Sequence, residues 1–469
     1  MDWFKDLYNG LRIRRSFWCV FEEKNRKGEY MRYFNLKIII FTTTVAMIAQ
    51  KAFCQTHQID ITSYDVVVNW DLRNNNLHVT ANLELRKMNF IKEFKMLLNA
   101  DAKINSINSN MDNNQINIPY YFVEKGTLNL IVPPELQLKE ELTIDFDYTL
   151  SIDTLKNGMV FLRRENRWYP LRYDDIARWR LSVQIPNGYL VFSVGNLEVK
   201  KIFPEHSQFI WESENPLPSV PLIITKSASI TKIVKNIDGK NINFYFSSKD
   251  TKVVKEIIAV TCDAFKFYNE LIGDYGYTQL SLIEIPDAPF VQSLSTVIMI
   301  GTPFIHYFNR GLNEWPSHEV AHQWCGAGIY VKSDTRGRWF IEESLTEYFR
   351  LMYLEKTKGE NALKEVLQSK LKKYKSIAGT EKDVPIIDIK YPMKEKGIII
   401  YNKGPYIMHK IRCKIGKKNW DNFIKEIYRN YKGRFFTYDE FKKYLSTYDE
   451  DGGCTLMLEK WVTKTGIPE

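Results

Sequence analysis

The segment His318-Glu319-Val320-Ala321-His322 holds two imidazoles four residues apart with a carboxylate between them. On a helix, residues i and i+4 stand one above the other, so His318 and His322 can offer ring nitrogens to one metal ion. Glu319 lies one position round from that face, beside the metal and free of it. That suits a base acting on water which the metal activates. Two of the chain's seven histidines fall in this short segment, which argues against an incidental core or surface pair.

A catalytic zinc usually has three protein ligands and one open position. The third is expected from a following helix, where "IEESLTEYFRLMYLEKT" offers Glu342, Glu343 and Glu347. Ile341, Leu345, Tyr348 and Met352 form its apolar stripe, with Glu343, Glu347 and Arg350 on the opposite face and Glu342 between the two. A metal site opens onto a water-filled cleft, so its ligand need not lie on the core stripe. Helical phase therefore leaves the choice open.

The elements that must position these residues follow from pattern. Between about residues 59 and 248, runs such as "YDVVVNWDL", "LHVTANLEL" and "LTIDFDYTL" alternate apolar and polar residues, which reads as a mostly antiparallel β domain. From Asp250, "DTKVVKEIIAVTCDAFKFYNELIG" changes to helical spacing, with Gly273 as its stop. "QLSLIEIP" and "STVIMIG" read as strands, and "WPSHEVAHQWC" as a helix start with Pro316 in its first turn. After Phe340 helices dominate. The expectation is an α+β chain with a leader at 1–54, a β domain at 55–240 and a catalytic domain at 241–469.

Composition narrows the function class. The apolar fraction of 44% and charged fraction of 26% are those of a globular protein, and 14% aromatics argue against extensive disorder. The net charge is +9, but residues 1–37 hold nine Lys or Arg against five acids, leaving +5 for the rest. No basic stripe interleaved with aromatics marks a nucleic-acid surface. "MRYFNLKIIIFTTTVAMIAQKAFCQ" has a basic start, an apolar run over 38–49 and small residues before Gln55. It reads as a signal peptide with Met31 as a candidate start, and the run is short for a membrane span. The expected location is exported, periplasmic or extracellular, with a signal anchor as the alternative. Six cysteines form no CxxC pair, so neither a cysteine metal site nor a redox motif is supported.

"HEVAHQW" followed by "EESLTEY" resembles the gluzincin zinc aminopeptidases, the family of aminopeptidase N and leukotriene hydrolase. The resemblance implies one zinc ion, with Glu343 as third ligand by alignment on "SLTEY", although twenty residues separate it from His322, a longer gap than the family pattern. Glu347 would then orient a zinc-bound histidine from behind. "YNKGPYIMH" is similar to the family's Tyr-x-Lys-Gly stretch, which casts Tyr401 as donor to the oxyanion. "RWRLSVQIPNGYLVFSVGN" and "LEKWVTKTGIPE" extend the likeness to a saddle-like N-terminal β domain and the end of a thermolysin-like catalytic domain. The resemblance also implies that the large C-terminal helical domain of the full-length family enzymes is missing here.

One departure stands out. The family's Gly-x-Met-Glu-Asn strand, whose glutamate binds the substrate's amino terminus, corresponds here to "APFVQSLSTVIMIG", with no acid between Ala288 and Gly301. Glu284 and Asp287 are nearby, and Gln292 and Ser295 are candidates to bond a peptide backbone. The expected function is thus a zinc peptidase acting on peptides, aminopeptidase-like with altered amino-terminus recognition. The competing expectation is an exported, catalytically silent binding protein on the same fold.

Overall fold

The computed structural model describes residues 59–468, apart from 88–89, 112–113, 125, 156–157, 249, 287, 309–314 and 391–393. The leader with its apolar run, Met31 and Cys54 lies outside these residues, as does Asp287. Ile59–Glu469 make one compact unit.

The alternating segments fold as strands. An eight-stranded sheet runs Asn196–Ile202, His206–Glu212, Arg178–Pro186, Ile59–Asp71, Asn76–Lys87, Glu141–Ser151, Lys103–Met111, Asn114–Asn117 in spatial order. Its neighbours are antiparallel except Ile59–Asp71 with Arg178–Pro186. Period-two burial puts Tyr64, Val66, Val68 and Trp70 inside, opposite Leu83, Ala81, Val79 and Leu77. Tyr64 also stacks on Trp179 with centroids 3.9 Å apart. Two three-stranded sheets complete this β part.

A five-stranded sheet of order Thr231–Ile237, Lys240–Phe246, Gln279–Ile285, Val297–Gly301, Val291–Leu294 borders the candidate site. The expected break at 240 falls in the turn between its first two strands, so both belong to this sheet. Val291–Leu294 is its antiparallel edge. The crossover helix Thr251–Leu271 is capped by Asp250, which accepts from the Val253 amide at 3.2 Å, and Gly273 follows its end at φ +139°.

The histidine helix, Trp315–His322, has Pro316 in its first turn as expected. Trp324 anchors the turn behind it, fully buried, its indole donating to the Gly273 carbonyl at 2.8 Å. The helical segment Leu345–Lys375 is broken at Gly359 (φ +85°, ψ 170°), where the chain doubles back and brings Lys370 to Glu347. Two stretches depart from α geometry: Phe340–Ser344 and Ile399–Lys403 are π-helical. They touch closely. Ser344 Oγ donates to the Ile400 carbonyl at 2.7 Å, and a Cβ on Gly404 would come within 2.4 Å of Ser344 Cβ.

Candidate active site

His318 and His322 project from one face of their helix with rings 4.8 Å apart and nearly perpendicular. The Glu343 carboxylate, presented by the first π turn, lies opposite both: Oε2 is 3.4 Å from His318 Nε2 and 3.5 Å from His322 Nε2. The ligand atoms of the three all lie within 4.8 Å of one another. Glu342 also lines the cleft, but its carboxylate pairs with Arg338 at 2.7 Å and is not part of the His318–His322–Glu343 cluster.

Each imidazole is held from behind. His318 Nδ1 is 3.0 Å from Glu347 Oε2, and His322 Nδ1 is 3.0 Å from the Cys325 carbonyl. In a neutral ring those acceptors favour the proton on Nδ1, which leaves Nε2, on the Glu343 side, as the nitrogen available to a metal. Gly326, at φ +105°, makes the turn that aims the Cys325 carbonyl; a Cβ there would stand 3.1 Å from His322 Nδ1. Glu347 is gripped by Arg350 at 2.7 Å and Lys370 at 2.5 Å, and all three are buried or nearly so. Burial opposes its charge, but Arg350 and Lys370 prevail and hold it well below the usual carboxylate range.

The electrostatics favour a cation between these groups. Burial alone would discharge the His318 imidazole, yet hydrogen bonds to Glu343 and Glu347 raise it to about 10. Burial likewise opposes the Glu343 charge, and the paired imidazoles of His322 and His318 overcome it and lower the carboxyl. Two imidazole nitrogens and one carboxylate oxygen, converging and oriented from behind, fit the donor set of a catalytic zinc.

Glu319 and Tyr401 flank this group. Ser293, on the edge strand Val291–Leu294, donates to Glu319 and lies 2.8 Å from its Oε2 and 2.9 Å from its carbonyl. Tyr401 donates to Glu343 Oε2 at 2.9 Å and keeps 36% of its surface open. Burial of its hydroxyl, with the Glu343 and Glu319 charges, pushes the phenol far above its usual range, so it stays a neutral donor. These residues line one cleft of about 430 Å³, walled on its other side by Arg163, Arg164 and Asp174 of the β part.

Among the expected substrate contacts, Gln292 lines the cleft; Ser295 does not, being buried with its hydroxyl on the Ala327 carbonyl at 2.8 Å. Two positions earlier, Ser293 does line the cleft, but its hydroxyl is engaged with Glu319. Glu284 is buried and accepts from the Ser247 and Ser248 amides and the Thr302 hydroxyl, so it offers no carboxylate to the cleft. Lys403 turns away to the Lys464 carbonyl at 2.6 Å. Arg163, Ser293 and Lys370 were not singled out from sequence. Only Arg350, three residues after Glu347, carried a readable signal.

Comparison with known proteins bears on this arrangement. Residues 309–461 match the peptidase family M1 domain. The chain is similar to the leucine aminopeptidase 2 of Emericella nidulans, 24% identical over 227 residues, 45% of this chain and 36% of that protein. A leukotriene A-4 hydrolase homolog of Botryotinia fuckeliana is 23% identical over 214 residues, 42% of this chain and 33% of that one. The chain thus matches about a third of the length of these curated relatives. The crystal structure of an M1 zinc metallopeptidase from Deinococcus radiodurans superposes with TM-score 0.71 at 13% identity, covering 88% of this chain and 96% of its own. A mutant of that metallopeptidase bound to a Tyr-Ser-Ala substrate gives TM-score 0.66 over the same shares. The α+β architecture, β sheets followed by a helical half, is therefore the M1 metallopeptidase fold. Among the described residues, no helix is long and apolar enough to cross a membrane.

Proposed function

We propose that the chain is a zinc-dependent peptidase that hydrolyses peptide bonds, with His318, His322 and Glu343 holding one zinc ion and Glu319 and Tyr401 doing the proton and oxyanion work. The observation that carries it is the convergence of all five around one cleft. The bound zinc supplies Lewis acidity, polarising the scissile carbonyl and making water acidic enough to be deprotonated near neutral pH. Glu319, steadied by the Ser293 hydroxyl, takes the proton of the attacking water and passes it to the leaving amine. Tyr401 donates to the oxygen that gains charge, a contribution of the kind that one oxyanion donor makes. Glu347 fixes the His318 ring and its tautomer. The β part supplies one wall of the cleft through Arg163, Arg164 and Asp174, and the part that begins with the strand Thr231–Ile237 supplies the chemistry.

We further infer an exported protein, on the signal-like character of the leader, and a peptidase whose recognition of the substrate's amino end is altered. Support for the latter is that the strand beside Glu319 presents Gln292 and Ser293 and no acid. The test is direct. Purified protein should hold about one zinc per chain, and Glu319→Gln should lower kcat/KM by about 10²–10⁴ while keeping the metal. An unaltered rate, or less than a tenth of an equivalent of zinc, would instead favour the silent binding protein.

A further inference from the structure

The end of the cleft beside Glu319 has a built polar lining that the proposed chemistry does not use. Arg163 Nη1 donates to Gln292 Oε1 at 2.6 Å, joining the β part to the edge strand. Its guanidinium lies over the Phe290 ring, 4.7 Å from the centroid, and 5.5 Å from that of Phe161; the two rings stack at 5.7 Å. A planar cation held on two aromatic faces and by one hydrogen bond is fixed in place. Arg164, over Tyr173 at 5.4 Å, adds a second positive charge to the same wall. Glu165 approaches Arg163 only to 3.7 Å with its side chain 54% exposed, so water screens much of its compensation.

The bond between Arg163 and Gln292 decides which chemistry this lining accepts. A glutamine amide carries one oxygen acceptor and two N–H donors. Arg163 engages the oxygen, and Gln292 Nε2 has no side-chain partner among the described residues. At this end the cleft presents N–H donors and the charges of Arg163 and Arg164. A substrate ammonium set against Arg163 and Gln292 would meet N–H donors and like charge, because the nearby acids are otherwise engaged: Glu319 accepts from Ser293, and Glu165 is largely in water. A substrate oxygen would meet both hydrogen-bond and Coulombic attraction.

We propose that Arg163 and Gln292 form an acceptor-binding subsite that holds a substrate oxygen, either a carboxylate or an acyl carbonyl, and selects against a free α-ammonium. This rests on the peptidase reading, and the experiment separates the two. Fluorogenic peptides sharing one scissile bond are prepared with a free amino end, an N-acetyl end and an N-succinyl end. The wild type should cleave the acylated peptides with kcat/KM about tenfold or more above the free amine, the size expected of a hydrogen bond to a charged group. A further gain for succinyl over acetyl identifies the carboxylate as the favoured oxygen, and equality identifies the carbonyl. Arg163→Glu should reverse the preference. Gln292→Glu, close in shape, should abolish it if Arg163→Glu fails to fold. The same peptides are titrated calorimetrically into zinc-loaded Glu319→Gln protein, where binding should follow the same order. The proposal is overturned if the free amine is preferred, or if both variants keep the wild-type ratio within twofold. If no peptide is cleaved, the peptidase reading alone fails. Calorimetry then still decides the subsite, with equal or tighter binding of the free amine counting against it.

Discussion

Glu342 and Glu343 are adjacent, identical in type, and different in their partners. Glu343 Oε2 sits between two imidazoles, whereas Glu342 answers Arg338. Glu343→Gln should therefore lose zinc in competition with a chelator, while Glu342→Gln keeps it. Glu347→Gln should weaken zinc by about 10–100-fold, since it orients the ring of the proposed ligand His318. Measured zinc affinities check all three. The histidine pair was legible because i, i+4 spacing is itself the geometry. Choosing between the glutamates required the "SLTEY" resemblance, since phase on a uniform helix left them open. Arg163 and Ser293 gave no sequence signal, because their partners lie 129 and 26 residues away.

At the level of elements, the failure of helical phase has a definite cause. Glu343 and Tyr401 both sit in π turns, which advance fewer degrees per residue than α turns and shift every later side chain around the axis. Nothing in composition marks an i→i+5 bond. The alternating strands and the histidine helix were legible, since residue period encodes them. The two π turns pack through Ser344 and Gly404, where a methyl has no room. Gly404→Ala should destabilise the fold by roughly 1–3 kcal/mol through overpacking, read as a lower urea midpoint. Activity should fall with it, because the contact sets the distance between Glu343 and Tyr401.

For the molecule as a whole, the β part and the catalytic part meet through polar links as well as core. Asp174 accepts from the Ser333 amide and hydroxyl at 2.8 Å, and Gly195 donates its amide to Thr296 Oγ1 at 2.8 Å. Beside Asp174, burial pushes the Asp175 carboxyl up to about 7, with Arg172 at 3.5 Å opposing only in part. A carboxyl raised in the folded state gives stability that is full below its unfolded value near 4 and is lost as pH rises through 7. Asp175→Asn should flatten that fall, by a few kcal/mol at most at about 1.4 kcal/mol per unit, in urea unfolding compared between pH 4 and 8. The cleft wall contributed by Arg163 and Asp174 precedes every ligand in the chain, and Tyr401 follows His318 by 83 positions. At about 5–20 residues per second, a nascent chain carries its histidines for roughly 4–17 s before Tyr401, the proposed oxyanion donor, is synthesised. Order of synthesis thus keeps the proposed catalytic set incomplete until Tyr401 has been added.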